Sequence, residues 1–156
     1  MKIAIVMGSK SDWPVMKAAA QMLEQFQVES EIRVLSAHRT PSELEKWVKG
    51  LRERDFSTVI AAAGGAAHLA GVVAAFTTLP VIGVPIKGNA FEGLDSLLSM
   101  VQMPSGIPVA VVAIDGAKNA ALLSIEMMAV SDMGLKKKLD NFRKEQSDKV
   151  LASTLE

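Results

Sequence analysis

Only two residues in this chain, His38 and His68, are imidazoles that can take and return a proton near neutral pH, and there is no Cys. An imidazole has an unperturbed pKa of about 6.5, which suits it to act as acid and base within one turnover. His38 is followed by Arg39 in Ser36-Ala37-His38-Arg39-Thr40-Pro41, which places a proton carrier beside a permanently charged fork suited to phosphate. A second cluster, Gly8-Ser9-Lys10-Ser11-Asp12, offers hydroxyls, free amides and a carboxylate just before an expected helix. The third, Gly64-Gly65-Ala66-Ala67-His68, carries His68 among side chains small enough for a ligand to approach the backbone. Together these residues suit proton transfer beside a bound anion.

Other chemistries lack their residues. Without Cys there is no thiol nucleophile, disulfide or thiolate metal site. Two His with no HExxH pattern make no recognisable zinc site, and no GxSxG elbow is present. The first cluster has one Gly, and its Lys10-Ser11 pair is not preceded by the GxxxxG run, so it is neither a dinucleotide fingerprint nor a P-loop. Each cluster also has a plain structural reading: helix capping for the Ser-rich loop, a surface pair for His38 and Arg39, and a satisfied structural histidine for His68.

The elements that must position these residues follow from apolar patterning. Strand-like runs occupy Lys2 to Met7, Glu31 to Leu35, Thr58 to Ala63, Pro80 to Pro85 and Pro108 to Ala113. Helical stretches cover Asp12 to Gln25, Ser42 to Arg54, Ala66 to Phe76 and Lys118 to Val130. Such alternation predicts an α/β fold: a three-layer α/β/α sandwich around a flavodoxin-like five-stranded parallel sheet of order 2-1-3-4-5. Ligands of such sheets sit beyond the carboxyl ends of the strands, where all three clusters fall. Ser11 is expected to cap the first helix, with Pro14 at its third position. Thr40 to Glu43 fits a capping box with Pro41 at the first helical position. The Leu and Met residues of Leu94 to Val101 are expected to serve in packing.

The chain of 156 residues is read as one domain, 1–156, with a charged, amphipathic C-terminal helical arm over 131–156. Leu135, Leu139, Phe142 and Leu151 recur along the arm at roughly helical spacing, and could cover its own domain or clasp a neighbouring subunit. Acidic and basic residues balance at 17 each, which leaves no long-range field to draw nucleic acid or an anionic membrane. Phe56 to Ile86 contains no Asp, Glu, Lys or Arg, yet Gly64-Gly65, Pro80 and Pro85 cut it into strand, helix and strand rather than a membrane span. The N-terminal apolar run is too short for a signal peptide and reads as the first strand. A cytoplasmic location is expected.

Four motifs in order resemble those of the N5-carboxyaminoimidazole ribonucleotide mutase family of purine biosynthesis. They are Met7-Gly8-Ser9-Lys10-Ser11-Asp12, Ser36-Ala37-His38-Arg39-Thr40-Pro41, Ala63-Gly64-Gly65-Ala66-Ala67-His68-Leu69, and Gly93-Leu94-Asp95-Ser96-Leu97 continued through Ser99, Val101-Gln102-Met103-Pro104 and Gly106. The resemblance covers essentially the whole chain. It implies the same fold and an isomerase that moves carboxylate from the exocyclic nitrogen of an aminoimidazole to ring carbon C4, without ATP, metal or organic cofactor. His38 matches the family's acid/base. Ser9, Ser11 and Arg39 would hold the ribose phosphate, Asp12 would accept from ribose hydroxyls, and Ser36, Gly65 and His68 would line the base and carboxylate end. The resemblance also implies a homo-octamer with the arm packing across subunits. One departure is Ala70, where the family usually has Pro. Two rivals remain at this stage: direct carboxylation of aminoimidazole ribonucleotide by carbon dioxide, and a non-catalytic flavodoxin-like nucleotide-binding module. The absence of Tyr and the presence of only two Trp leave little material for stacking a flavin.

Overall fold

The computed structural model describes residues 1–154. Five parallel strands, β1 (Lys2–Met7), β2 (Ser30–Val34), β3 (Phe56–Gly64), β4 (Val81–Ile86) and β5 (Ala110–Val111), form one sheet in the order β2-β1-β3-β4-β5. Six helices connect and flank them: α1 (Trp13–Gln25), α2 (Pro41–Lys49), α3 (Leu69–Phe76), α4 (Leu94–Val101), α5 (Ala117–Ala129) and α6 (Met133–Leu151). The expected sheet order and sandwich are both present.

Alternation along the strands builds two cores. Ile3, Ile5 and Met7 of β1 join Ile60 and Ala62 of β3 on one face, against α1, α5 and α6. Ala4 and Val6 join Val59, Ala61 and Ala63 on the other, against α2, α3 and Met100 of α4. Because helices cover both faces, β4 is buried along its whole length, which explains the unbroken apolar sequence of the interior. Among the described residues, no helix is long and apolar enough to cross a membrane.

Several boundaries differ from expectation for local reasons. Ser11 does not cap α1. Ser9 caps a single 3-10 turn, Lys10–Asp12, and α1 starts at Trp13 with Pro14 at its second position. Thr40 does precede α2, but the capping box with Glu43 does not form. Its hydroxyl instead accepts from the Ser36 N–H at 2.9 Å and donates to the Ser36 carbonyl at 3.1 Å, closing the 36–40 turn on itself. The second helix ends at Lys49, and Arg52–Arg54 forms a separate 3-10 turn. Ala66 lies in the loop before α3, and β5 shrinks to two residues.

The arm resolves in favour of its own domain over its first half. Leu135 and Leu139 are buried, and the Phe142 ring meets Phe26 edge-on at 5.5 Å. Lys138 Nζ donates to the Phe26 carbonyl and to Gln27 Oε1, each at 2.8 Å. Further along, Val150 and Leu151 are exposed. Residues 155 and 156 of the expected arm lie outside the described residues.

Candidate functional site

The carboxyl ends of β1, β2, β3 and β4 border one cleft of about 380 Å³. All eight residues expected from sequence line it: Ser9, Ser11, Asp12, Ser36, His38, Arg39, Gly65 and His68. Since β1 lies between β2 and β3, the loops bearing the two histidines flank the Ser-rich loop.

The Ser-rich loop is held by a reciprocal capping box. The Ser9 N–H donates to Asp12 Oδ2 at 3.1 Å, while Ser9 Oγ accepts from the Ser11 N–H at 3.3 Å and lies 2.8 Å from Ser11 Oγ. Satisfying these amides internally keeps two hydroxyls together at the cleft wall. Asp12 is buried, and that burial raises its carboxyl pKa against the opposing pull of the Ser9 N–H, the Ser11 hydroxyl and the nearby Arg39 charge.

Arg39 ties two loops together. Its Nη2 donates to the Gly8 carbonyl at 2.7 Å, and its Nε donates to Ser36 Oγ at 3.3 Å. Ser36 Oγ also accepts the Arg39 N–H at 3.2 Å. The guanidinium is therefore oriented from both sides, in the cleft that Ser9 and Ser11 also line. His38, one residue earlier, projects toward the third loop. Its Nε2 lies 3.0 Å from His68 Nδ1, and the rings are perpendicular. His68 occupies the N-cap position of α3, which fixes its backbone at the helix start.

Gly65 adopts φ +62°, a conformation that strains any other residue, and a Cβ built there would meet nothing within 4 Å. Its role is thus to turn the chain, with the open space beside it belonging to the cleft. Two features were not foreseen. Lys87 lines the cleft after β4, with its ammonium paired to Glu92, which raises its pKa. The unforeseen helix α4 sits below it, where buried Ser96 donates from Oγ to the Ile86 carbonyl at 2.8 Å. The carboxyl-edge rule points to Lys87's position, but no motif marks the residue itself. Among the described residues, no group of three or more His, Cys, Asp or Glu is arranged to hold a metal ion.

Comparison with known proteins identifies the family. The chain is 58% identical to the N5-carboxyaminoimidazole ribonucleotide mutase of Pyrococcus abyssi, over 92% of this chain and 83% of that protein. It is 53% identical to the mutase of Vibrio vulnificus, over 98% and 96% respectively. A chloroplastic phosphoribosylaminoimidazole carboxylase from Vigna aconitifolia is 48% identical over 96% of this chain, which spans only 27% of that longer protein. The crystal structure of Treponema denticola PurE superposes with a TM-score of 0.88 at 31% identity, covering 96% of this chain and 93% of that one. The family profile of AIR carboxylase matches residues 2–149. By both its sequence and its fold, the chain belongs to the AIR carboxylase family.

Proposed function

We propose that the chain isomerises N5-carboxyaminoimidazole ribonucleotide to 4-carboxy-5-aminoimidazole ribonucleotide in purine biosynthesis, with His38 as the proton carrier. The observation that supports the catalytic assignment is the His38–His68 pair lying in one cleft with Ser9, Ser11 and Arg39, groups suited to an anion. Relatives at 50 to 58% identity that bear the mutase name support the reaction.

The chemistry needs one proton moved twice. As the bond from the exocyclic nitrogen to the carboxylate breaks, carbon dioxide leaves and the nitrogen takes a proton from His38. Ring carbon C4 then attacks the carbon dioxide, and His38 recovers a proton from C4 as the new carbon–carbon bond is completed. Atoms and protons balance without a cofactor, and positioned proton transfer of this kind contributes about 10² to 10⁴ in rate. In this scheme Ser9, Ser11 and Arg39 hold the ribose phosphate, and Asp12 accepts from ribose hydroxyls. Ser36, Gly65 and His68 line the base and carboxylate end. Ala63, Gly64 and Ala66 line the cleft with small groups that leave room for the departing gas beside the base.

The test is an isomerisation assay of the parent and of His38→Asn, with folding checked by circular dichroism. Loss of turnover in the variant is expected; equal rates would remove His38 from the mechanism. Saturation by the N5-carboxylated substrate without added bicarbonate is also expected, whereas a strict bicarbonate requirement would instead indicate direct carboxylation.

The proposal takes 1–156 as one mutase domain, with the arm 131–156 reaching a neighbouring subunit in a cytoplasmic homo-octamer. Supporting assembly, Leu94, Leu98 and Val101 fall on one face of α4 and remain about half exposed. The exposed Val150 and Leu151 supply a second apolar surface at the end of α6. Analytical ultracentrifugation reads the assembly directly, and a monomer at micromolar concentration would reject it.

A further inference from the structure

Two loops, one after β4 and one after β5, are bent at a cost, and both bends serve Lys87. Glu92 and Asp115 are non-glycine residues with φ of +53° and +57°, in the left-handed region that such residues avoid. Both hold Lys87. The Glu92 carboxylate pairs with its ammonium, and Asp115 Oδ1 accepts its backbone N–H at 2.9 Å. Gly93, with φ +92°, packs where a Cβ would come within 3.2 Å of the Lys87 Cα. Two strained residues and a glycine therefore converge on one lysine at the mouth of the cleft.

Position across the sheet suggests what that lysine receives. Arg39 follows β2, with its fork reaching across to Gly8 after β1, and Lys87 follows β4, three strand spacings or about 14 Å from β2 at the usual separation. The histidine pair and the Ser-rich loop come between them. The nucleotide of the proposed reaction is an anion at both ends, with phosphate on the sugar and carboxylate on the base. Arg39 is already fixed to the Gly8 carbonyl and Ser36 Oγ, at the end of the cleft proposed to take the phosphate. Lys87 is the cation at the opposite flank, and its partner Glu92 is a solvent-exposed carboxylate.

We infer that Lys87 binds the substrate's carboxylate, and that Glu92 is a stand-in for that carboxylate which swings aside when the nucleotide enters. The assignment rests on the mutase reading of the cleft and adds to it a residue that distinguishes carboxylated from uncarboxylated nucleotide. Exchange of one carboxylate for another at the same ammonium leaves its charge satisfied throughout.

The test is calorimetric titration of the parent, Lys87→Met and Glu92→Gln with two nucleotides, 4-carboxy-5-aminoimidazole ribonucleotide and aminoimidazole ribonucleotide, which lacks the carboxylate. Lys87→Met is expected to weaken the carboxylated nucleotide about tenfold and to leave the other within about twofold. Glu92→Gln is expected to act in the opposite direction, tightening the carboxylated nucleotide a few-fold by removing the competitor. Equal weakening of both nucleotides by Lys87→Met would overturn the assignment by placing Lys87 on the phosphate or sugar. No change in either would overturn it as well. A parent protein that neither binds these nucleotides nor isomerises substrate would instead bring down the reading of the cleft, and this assignment with it.

Discussion

His38 Nε2 and His68 Nδ1 share a 3.0 Å contact, so one of these nitrogens carries the hydrogen and the other presents its lone pair. If both rings were protonated, two N–H groups would face each other and the contact would break. The two imidazoles thus act as a unit, with the orientation of each depending on the other. His38→Asn is expected to lower kcat by about 10² to 10⁴, and His68→Asn to lower it less. In kcat the double variant should lose less than the product of the two single losses, because part of what His68 does is exerted through its contact with His38. Multiplicative losses in a double-mutant cycle would contradict that coupling.

Asp12 illustrates a site residue held against its own preference. Burial raises its carboxyl pKa above the ordinary 3.8. The folded protein therefore binds this proton more tightly than the unfolded chain, and the group's contribution to stability falls as pH rises from 3.8 through the folded value. Asp12→Asn keeps an acceptor for the Ser9 N–H and removes the buried charge. The variant should melt higher than the parent at neutral pH, with the gain vanishing in acid, while nucleotide affinity falls roughly tenfold. Thermal melts across pH, paired with titration calorimetry, would show whether stability and binding move in opposite directions.

Glu31 on β2 has the reverse sign. It accepts from Trp47 Nε1 at 2.8 Å, from Arg33 Nε at 3.0 Å and from Arg54 Nη1 at 2.9 Å, and these partners, Trp47 foremost, lower its pKa from 4.5 to about 2. Its contribution is present above pH 4.5 and is lost as pH falls toward 2. Glu31→Gln should cost on the order of 1 kcal/mol at neutral pH, a modest value because the cluster is partly solvated. In urea titrations the gap between parent and variant should close across that acidic window. A gap independent of pH would show that packing, not charge, holds β2 to Trp47 of α2.

Ala70, where the resembled family has Pro, occupies the second position of α3 and is fully buried. That position needs no intrahelical N–H bond, and Pro14 already stands at the equivalent place in α1. Ala70→Pro should stabilise the protein by about 0.4–1 kcal/mol through the unfolded chain. Scanning calorimetry would detect it. A lower Tm would show that the close approach of Ala70 and Met100 to Gly83 leaves no room for the ring.

The sheet order and the three site loops were legible because their signals are local and repeated: β-branched runs, a Pro after Thr40, glycines after β3. What escaped was set by partners distant in sequence. Helix α4 follows Gly93 at φ +92° rather than a Ser, Thr, Asp or Asn cap, and it exposes Leu94 and Leu98, so neither its start nor its buried face follows the usual pattern. The two helix starts differ from the local pattern in complementary ways. Ser9, not the expected Ser11, is the cap, and with Asp12 it closes a capping box around a 3-10 turn, while Thr40 gives its hydroxyl to Ser36 instead of forming the expected box with Glu43. Lys87 carries no motif at all; only the bent loops and its two acidic partners single it out.

The guanidinium of Arg39 is lashed to Gly8 and Ser36 before any ligand arrives. An incoming phosphate thus meets a rotamer that is already frozen and gives up little disorder on docking. Ligand-free and nucleotide-bound forms should superpose closely at this corner, leaving whatever rearrangement occurs to the opposite shore of the cleft.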